Sequence, residues 1–363
     1  TYAQGLKDYQ LSIQKSEAFS TLSYEALANI VTIPIVVHIL LPDPTIVTDD
    51  DVNFFIRRLN EDFSGLNADS TNAAGFYDVR GHSLIRFTLA RRDPQGNFTT
   101  GIERKQSNVL IGISEPQAIK KSGSGGLNPW PMTDYYNVWI GMGPEGVIGI
   151  SPEIGPGTAE TDGVAIDYRV FTNNSWYSYS SYNLSRPAVH EIGHNFGLYH
   201  TFEGGCSLTT DFGQLTTPGL TFPSDYLGPL DDTPAQQEST NGCPSGVVSS
   251  GCPVSPDPPG RMYQNFMDYT DDECYSMFTK GQVERMHWVI VNGRPGYLTT
   301  MGGTPPATAR GSARPIAIRP SARSARSRPS MSWRRSLSLG QRSRASAASS
   351  SPTLSSVSAI DGA

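Results

Sequence analysis

Residues 188–206 read AVHEIGHNFGLYHTFEGGC, and the offsets of three histidines, one glutamate and one glycine within them constrain the chain more than any other feature. His190 and His194 are four residues apart, which on a helix puts both imidazoles on one face about a turn apart. Two ligands do not complete a metal site. Gly197 can adopt a positive φ that ends the helix and turns the chain, so that His200, three residues on, returns as a third ligand. Three neutral imidazoles leave a fourth position open to water, the arrangement of a catalytic zinc rather than of a closed structural one. Glu191, next to the first ligand, can reach that water without ligating. Zinc lowers the pKa of such a water from about 15.7 to about 7, so a carboxylate can take its proton near neutral pH and deliver it to a leaving amine. Peptide-bond hydrolysis is the chemistry implied. The plain alternative, a half-buried helix rich in histidine, leaves Gly197, His200 and Glu191 without tasks.

Upstream of this motif, strand-like and helix-like segments alternate. TIPIVVHIL reads as a buried strand within the long apolar run IVTIPIVVHILL at 30–41, which is too short to cross a bilayer. TDDDVNFFIRRLNEDF follows, with Thr48 or Asp49 as its cap and Val52, Phe55, Ile56 and Leu59 on one helical face. Further strands are expected in 84–92, 135–142, 146–154 and 162–171, five in all, giving an α/β layer with a mainly parallel sheet. Residues 201–262 are dominated by Gly, Pro, Ser, Thr and Asp with little periodicity. A helix resumes near Thr279, where TKGQ makes a capping box and Val283, Met286 and Ile290 supply an apolar stripe. The catalytic domain is expected over 31–300, split near 200 into an upper and a lower subdomain. Residues 1–30 read as an N-terminal extension or propeptide remnant, and the Ser/Ala/Arg/Pro-rich residues 301–363 as a disordered tail.

Charge and cysteine usage narrow the partners and the compartment. Ten arginines in 301–363 conceal an acidic body: residues 1–300 carry 18 basic and 33 acidic side chains, a net charge of −15, which argues against nucleic acid. Cys206, Cys243, Cys252 and Cys274 cluster in one segment of an otherwise cysteine-free chain. Two disulfides in an oxidising compartment are the favoured reading and a second zinc site the competing one, with three disulfide connectivities open. Sequons at Asn97, Asn173 and Asn183 fit secretion, any targeting peptide having been removed before Thr1.

HEIGHNFGLYHTFEGGC, together with NFMDYTDDECYSMFTKGQVERM at 265–286, resembles the pappalysin family of metzincin zinc peptidases, and the likeness extends more loosely over about 31–292. The resemblance implies a twisted sheet with a backing helix and an active-site helix above a substrate cleft, and an irregular, disulfide-stapled lower part ending in a helix. It implies Met267 as the Met-turn beneath the histidines and Tyr269 as a residue that stabilises the oxyanion. It also implies disulfides Cys206–Cys252 and Cys243–Cys274. Calcium accompanies some family members, for which Glu203, Asp231 and Asp232 offer oxygens. The strand at 146–154 would form the upper cleft edge, and Asp271, Asp272 and Glu273 imply a preference for Arg or Lys after the scissile bond. One departure is that no cysteine precedes Cys206, so a zinc-ligating prosegment cysteine is not available within this sequence. Protein or peptide substrates are the implied partners, with no membrane and no assigned oligomeric state. A catalytically silent zinc-binding adhesion protein and a zinc hydrolase of non-peptide amides are the competing functions; the intact Glu191 weighs against the first.

Overall fold

A computed structural model describes residues 29–307 except 74, 113–116, 152–153, 172–178, 254, 256 and most of 207–231, where only the backbone of a short hairpin is described. The expected N-terminal extension, apart from its last two residues, and positions 308–363 of the expected tail lie outside the described residues. Among the described residues no helix is long and apolar enough to cross a membrane.

The main sheet has six strands rather than the five expected: β1 (Val31–Leu41), β2 (Ile85–Leu89), β3 (Ile102–Gln106), β4 (Tyr136–Gly141), β5 (Gly149–Ile150) and β6 (Val164–Asp167). β1 is central. β2 pairs with its first half and β3 with its second along one edge, and β4 follows the other edge, leading on to β6 and β5. All these pairings are parallel except that of β5, which runs antiparallel to β6 at the border of the sheet. The apolar run of β1 is explained by this position, since a parallel strand covered on both faces needs apolar residues on both. β3 escapes a pattern reading because its residues, IERKQ, are half-buried or exposed and mostly charged.

Helix α1 (Asp49–Ser64) is capped by Thr48, whose hydroxyl accepts the Asp51 amide at 3.2 Å while the Asp51 carboxylate accepts the Thr48 amide at 2.8 Å. Val52, Phe55 and Leu59 are buried on its inner face as the spacing predicts, and Ile56 is only partly covered. Phe63, a turn further on, packs edge-on to Phe87 of β2 with ring centroids 5.0 Å apart. The segment 162–171 divides: β6 ends at Asp167 and a single helical turn, α2 (Tyr168–Phe171), follows, its Phe171 packing on Phe55.

After helix α3 (Arg186–Asn195), which carries His190 and His194, the chain loses regularity, with two-residue pairings β7 (Thr216–Thr217) with β8 (Leu220–Thr221) and β9 (Asn241–Gly242) with β10 (Tyr269–Thr270). Disulfides join Cys206 to Cys252 and Cys243 to Cys274, the pairing the resemblance implies. Helix α4 (Lys280–Gly293) starts at the Thr279 capping box and buries Val283, Met286 and Ile290. Contacts continue beyond residue 300, where the tail was expected to begin: the Gly302 carbonyl accepts the amides of Arg91 and Arg92 at 2.8 and 3.1 Å.

Arg294, just after α4, is buried and makes a two-pronged ion pair with Asp162, both contacts 2.6 Å. Burial works against the Asp162 charge, but the guanidinium outweighs it and holds the carboxyl below its usual range. Asp162→Asn should therefore leave Arg294 buried without a countercharge and destabilise the fold by about 3–5 kcal/mol, read as a lower midpoint in urea unfolding; an unchanged midpoint would contradict this.

His287 on α4 is buried and its Nε2 accepts the Leu84 amide at 3.2 Å. Burial, assisted by Arg86, pulls its pKa down to about 3. The unfolded chain thus binds the extra proton between about pH 6.5 and 3 and the folded chain does not, so this stabilisation is complete above that window and lost as pH falls through it. Denaturant curves across that range should show His287→Gln lacking a slope of up to about 1.4 kcal/mol per pH unit that the unaltered protein has; parallel slopes would refute the assignment.

Candidate metal centre and active site

The histidine helix α3 is short, and its ends are fixed by side chains from elsewhere. Ser185 enters it with φ of 63°, a left-handed conformation steadied by its hydroxyl donating to the Phe171 carbonyl at 3.2 Å. Arg186, the first helical residue, is fully buried and donates to the carboxylates of Asp62 and Asp69 and to the carbonyls of Asp272 and Tyr275. At the other end Gly197 takes φ of 92°, and a Cβ there would come within 2.8 Å of Val289. Conformation and space both select glycine. The turn it makes brings His200 back over the helix.

The Nε2 atoms of His190 and His200 each lie 3.0 Å from Nε2 of His194. Each Nδ1 has its own acceptor: the Phe266 carbonyl for His190 and the Leu198 carbonyl for His194, both at 2.7 Å, and the Glu203 carboxylate for His200 at 3.0 Å. A ring that donates from Nδ1 presents the Nε2 lone pair, so all three lone pairs point to one place. Burial, and then the two neighbouring histidines, push the His190 pKa well below its usual value, favouring the neutral form that ligates. Three imidazole nitrogens this close suit a single metal ion about 2 Å from each. Among the described residues this is the one cluster of metal-binding side chains.

Glu191 is buried beside these histidines, against the edge strand β5. A Cβ placed on Gly149 would come within 2.8 Å of Glu191 Cγ and 2.9 Å of its Oε1. The glycine therefore leaves the room that the carboxylate fills. Below the helix, Met267 is fully buried with its sulfur 2.6 Å from where a Gly193 Cβ would be, and its carbonyl accepts the Thr201 amide at 3.1 Å. The Tyr269 hydroxyl lies 3.2 Å from His200 Nε2, its ring edge-on to those of His200 and Phe202.

The three acids after the Met267 turn separate by environment. Glu273 is exposed, Asp271 is half-buried and Asp272 is buried, with Oδ2 accepting the Leu184 amide at 2.7 Å. Burial raises the Asp272 pKa to about 7. A depression beside His190 and Glu191 is lined by Ile148, Tyr182, Pro187 and Tyr275. The calcium reading finds no support: Glu203 is engaged with His200, Asp232 accepts the Gly281 amide at 2.8 Å, and Asp231 lies outside the described residues. Sequence reasoning missed Arg186, Asn195, Gly149 and the Glu203–His200 contact. Only the last had a local signal, a carboxylate three residues after His200.

A family profile described as Pregnancy-associated plasma protein-A matches residues 127–291. An extracellular metalloprotease of Colletotrichum graminicola is 30% identical over 276 residues, which is 74% of this chain and 79% of that protein. Another from Pyricularia oryzae is 40% identical over 145 residues, 39% of this chain; the match spans only 43% of that relative's length. Among solved structures, mature mirolysin of Tannerella forsythia in complex with a cleaved peptide superposes with a TM-score of 0.63 at 33% identity, over 75% of this chain and 96% of that one. The profile match spans both the histidine helix and the methionine beneath it, and the longer alignments take in most of the chain, so the chain belongs to the pappalysin family of metzincin metallopeptidases.

Proposed function

We propose that the protein is a secreted zinc endopeptidase in which His190, His194 and His200 hold the metal and Glu191 is the general base and acid. The observation that carries this reading is the convergence of three Nε2 atoms beside a buried glutamate. Bound zinc would polarise the scissile carbonyl and acidify a water at the open ligand position. Glu191 takes the proton from the attacking water and returns it to the departing amine, a task for which its position next to His190 suits it. Tyr269, with its hydroxyl at the rim of the ligand set, is placed to donate to the oxyanion that forms on the carbonyl. The short antiparallel β5 leaves a sheet border on which an extended peptide can pair. Mirolysin's complex with a cleaved peptide and the extracellular metalloprotease names of the fungal relatives support peptide substrates and secretion. The two disulfides and the exposed sequons at Asn97 and Asn183 accord with that compartment; Asn173 lies outside the described residues.

The preference for Arg or Lys after the scissile bond rests on Asp272. Its Oδ1 is buried and accepts no hydrogen bond among the described residues, and its charge acts on Tyr182 and Tyr275 in the wall of the depression beside Glu191. A basic side chain entering there would add a second positive charge to that of Arg186, which already acts on the Asp272 carboxyl.

Casein digestion by the full chain should stop on zinc chelation and return on adding zinc. Glu191→Gln should lower kcat by about 10²–10⁴-fold while zinc uptake persists; undiminished digestion by this variant would overturn the role of Glu191, and zinc uptake without any digestion by the unaltered chain would favour the silent binding protein.

Gly149→Ala should displace the Glu191 carboxylate and lower kcat by on the order of ten- to a hundred-fold, with zinc affinity unchanged. Equal kcat values for the two chains would show that the space is not needed.

Cleavage of a peptide library should be enriched in Arg and Lys after the scissile bond, and Asp272→Asn should erase the enrichment. Because burial lifts the Asp272 pKa to about 7, protons compete with the basic side chain below that value, and the preference should strengthen as pH rises through it. A library profile without basic enrichment at any pH would dispose of the idea.

A further inference from the structure

The three histidines do not share one kind of support. His190 and His194, both on α3, give their Nδ1 protons to backbone carbonyls, whereas His200, beyond the helix on a turn, gives its proton to a carboxylate. That carboxylate returns from three residues downstream because the Glu203 amide donates to the His200 carbonyl at 3.2 Å and the Gly205 amide to the Phe202 carbonyl at 2.9 Å. Cys206, bonded to Cys252, anchors the far end of the same turn. Orientation of the His200 ring does not depend on Glu203 alone: Phe202 stacks on it with centroids 4.7 Å apart and planes 9° apart, and Tyr269 meets it edge-on at 5.0 Å. What the carboxylate adds beyond orientation is charge. An anionic acceptor on Nδ1–H makes the ring a stronger base at Nε2 and so a stronger ligand, which a neutral carbonyl does less well.

We infer that Glu203 is a positioning residue for the metal, a carboxylate that strengthens His200 as third ligand and thereby compensates for that ligand's place on a turn rather than on the helix. This rests on the metal reading of the histidine triad given above. Glu203 is 42% exposed at its side chain, so as an ordinary surface ion pair it would contribute little to stability. Its effect is instead expected in the affinity of the site.

The test uses the full chain stripped of metal by a chelator and titrated with zinc against a chromogenic competitor near neutral pH. Glu203→Ala should raise the zinc dissociation constant about ten-fold, the lower end of the range for such partners because the carboxylate is partly solvated. Glu203→Gln, which keeps an acceptor of the same shape but no charge, should fall between the two. The metal-free forms of all three chains should unfold at the same temperature, which separates this role from a structural one; should the alanine variant be destabilised, the glutamine variant decides. Equal zinc affinity in the unaltered and Glu203→Gln chains would overturn the charge argument, and equal affinity in all three would overturn the role altogether. Absence of zinc uptake by the unaltered chain would instead remove the metal reading, and this inference with it.

Discussion

The guanidinium of Arg186 sits in the first turn of the histidine helix, where the positive end of the helix dipole and the loss of solvent both oppose a cation. Its persistence there depends on two carboxylates and two carbonyls that surround it. Asp62 comes from the backing helix α1, Asp69 from the loop after it, and the carbonyls of Asp272 and Tyr275 from the chain beyond Met267. One buried charge thus ties the sheet-backing layer, the histidine helix and the segment beyond Met267 together. None of the three can shift alone without leaving part of the guanidinium unsatisfied, an arrangement with much to lose in a low-dielectric interior.

The other end of the helix is bound in a similar way. Arg294 pairs with Asp162 and also donates to the side-chain and backbone oxygens of Asn195, at 2.7 and 3.2 Å. Asn195 in turn donates to the Gly155 carbonyl, and the Gly155 amide reaches the His194 carbonyl at 2.8 Å. A helix of 10 residues has little stability of its own. Here two buried arginines bracket it, and the loop that follows β5 is fastened to the same network. The placement of His190 and His194 is therefore set by polar clamps at both ends, with Met267 and the aromatic core filling the space between.

What could be read from the sequence was what depends on short spacings. The i, i+4 pair His190 and His194, the turn at Gly197, the helix cap at Thr48 or Asp49 and the capping box at Thr279 each involve residues within a few positions of one another, so their geometry follows from local backbone rules. Arg186 finds Asp62 and Asp69 across 124 and 117 positions, and Arg294 finds Asp162 across 132. No local pattern announces such partners. β3 was missed because a strand on the border of a sheet need not be apolar, and Asp271, Asp272 and Glu273, adjacent acids of like chemistry, were separated only by how deeply each is buried. Glu203 is the instructive intermediate: its spacing from His200 was visible, but oxygen-rich surroundings pointed toward calcium when the nearer ligand was an imidazole.

The floor of the site shows why the disulfides fall where they do. From 232 to 278 regular pairing is sparse, and backbone groups are instead satisfied by side chains: Asp268 accepts the amides of Thr240 and Tyr269 and the side chain of Gln236, and Asn265 exchanges hydrogen bonds with Gln282 of α4. Burial raises the pKa of Asp268, and the hydrogen bonds from Gln236, Thr240 and Tyr269 work against that rise by favouring the carboxylate. Between 232 and 261 the only buried apolar side chain among the described residues is that of Cys252, so apolar burial does little to hold this stretch closed. Crosslinks spanning 46 and 31 positions restrict the unfolded chain by about 4 kcal/mol each on the chain-entropy view. Cys206 begins one of them six residues after His200, and Cys274 ends the other seven residues after Met267. The crosslinks thus bound the two segments that carry His200 and Met267, which the helix itself cannot position.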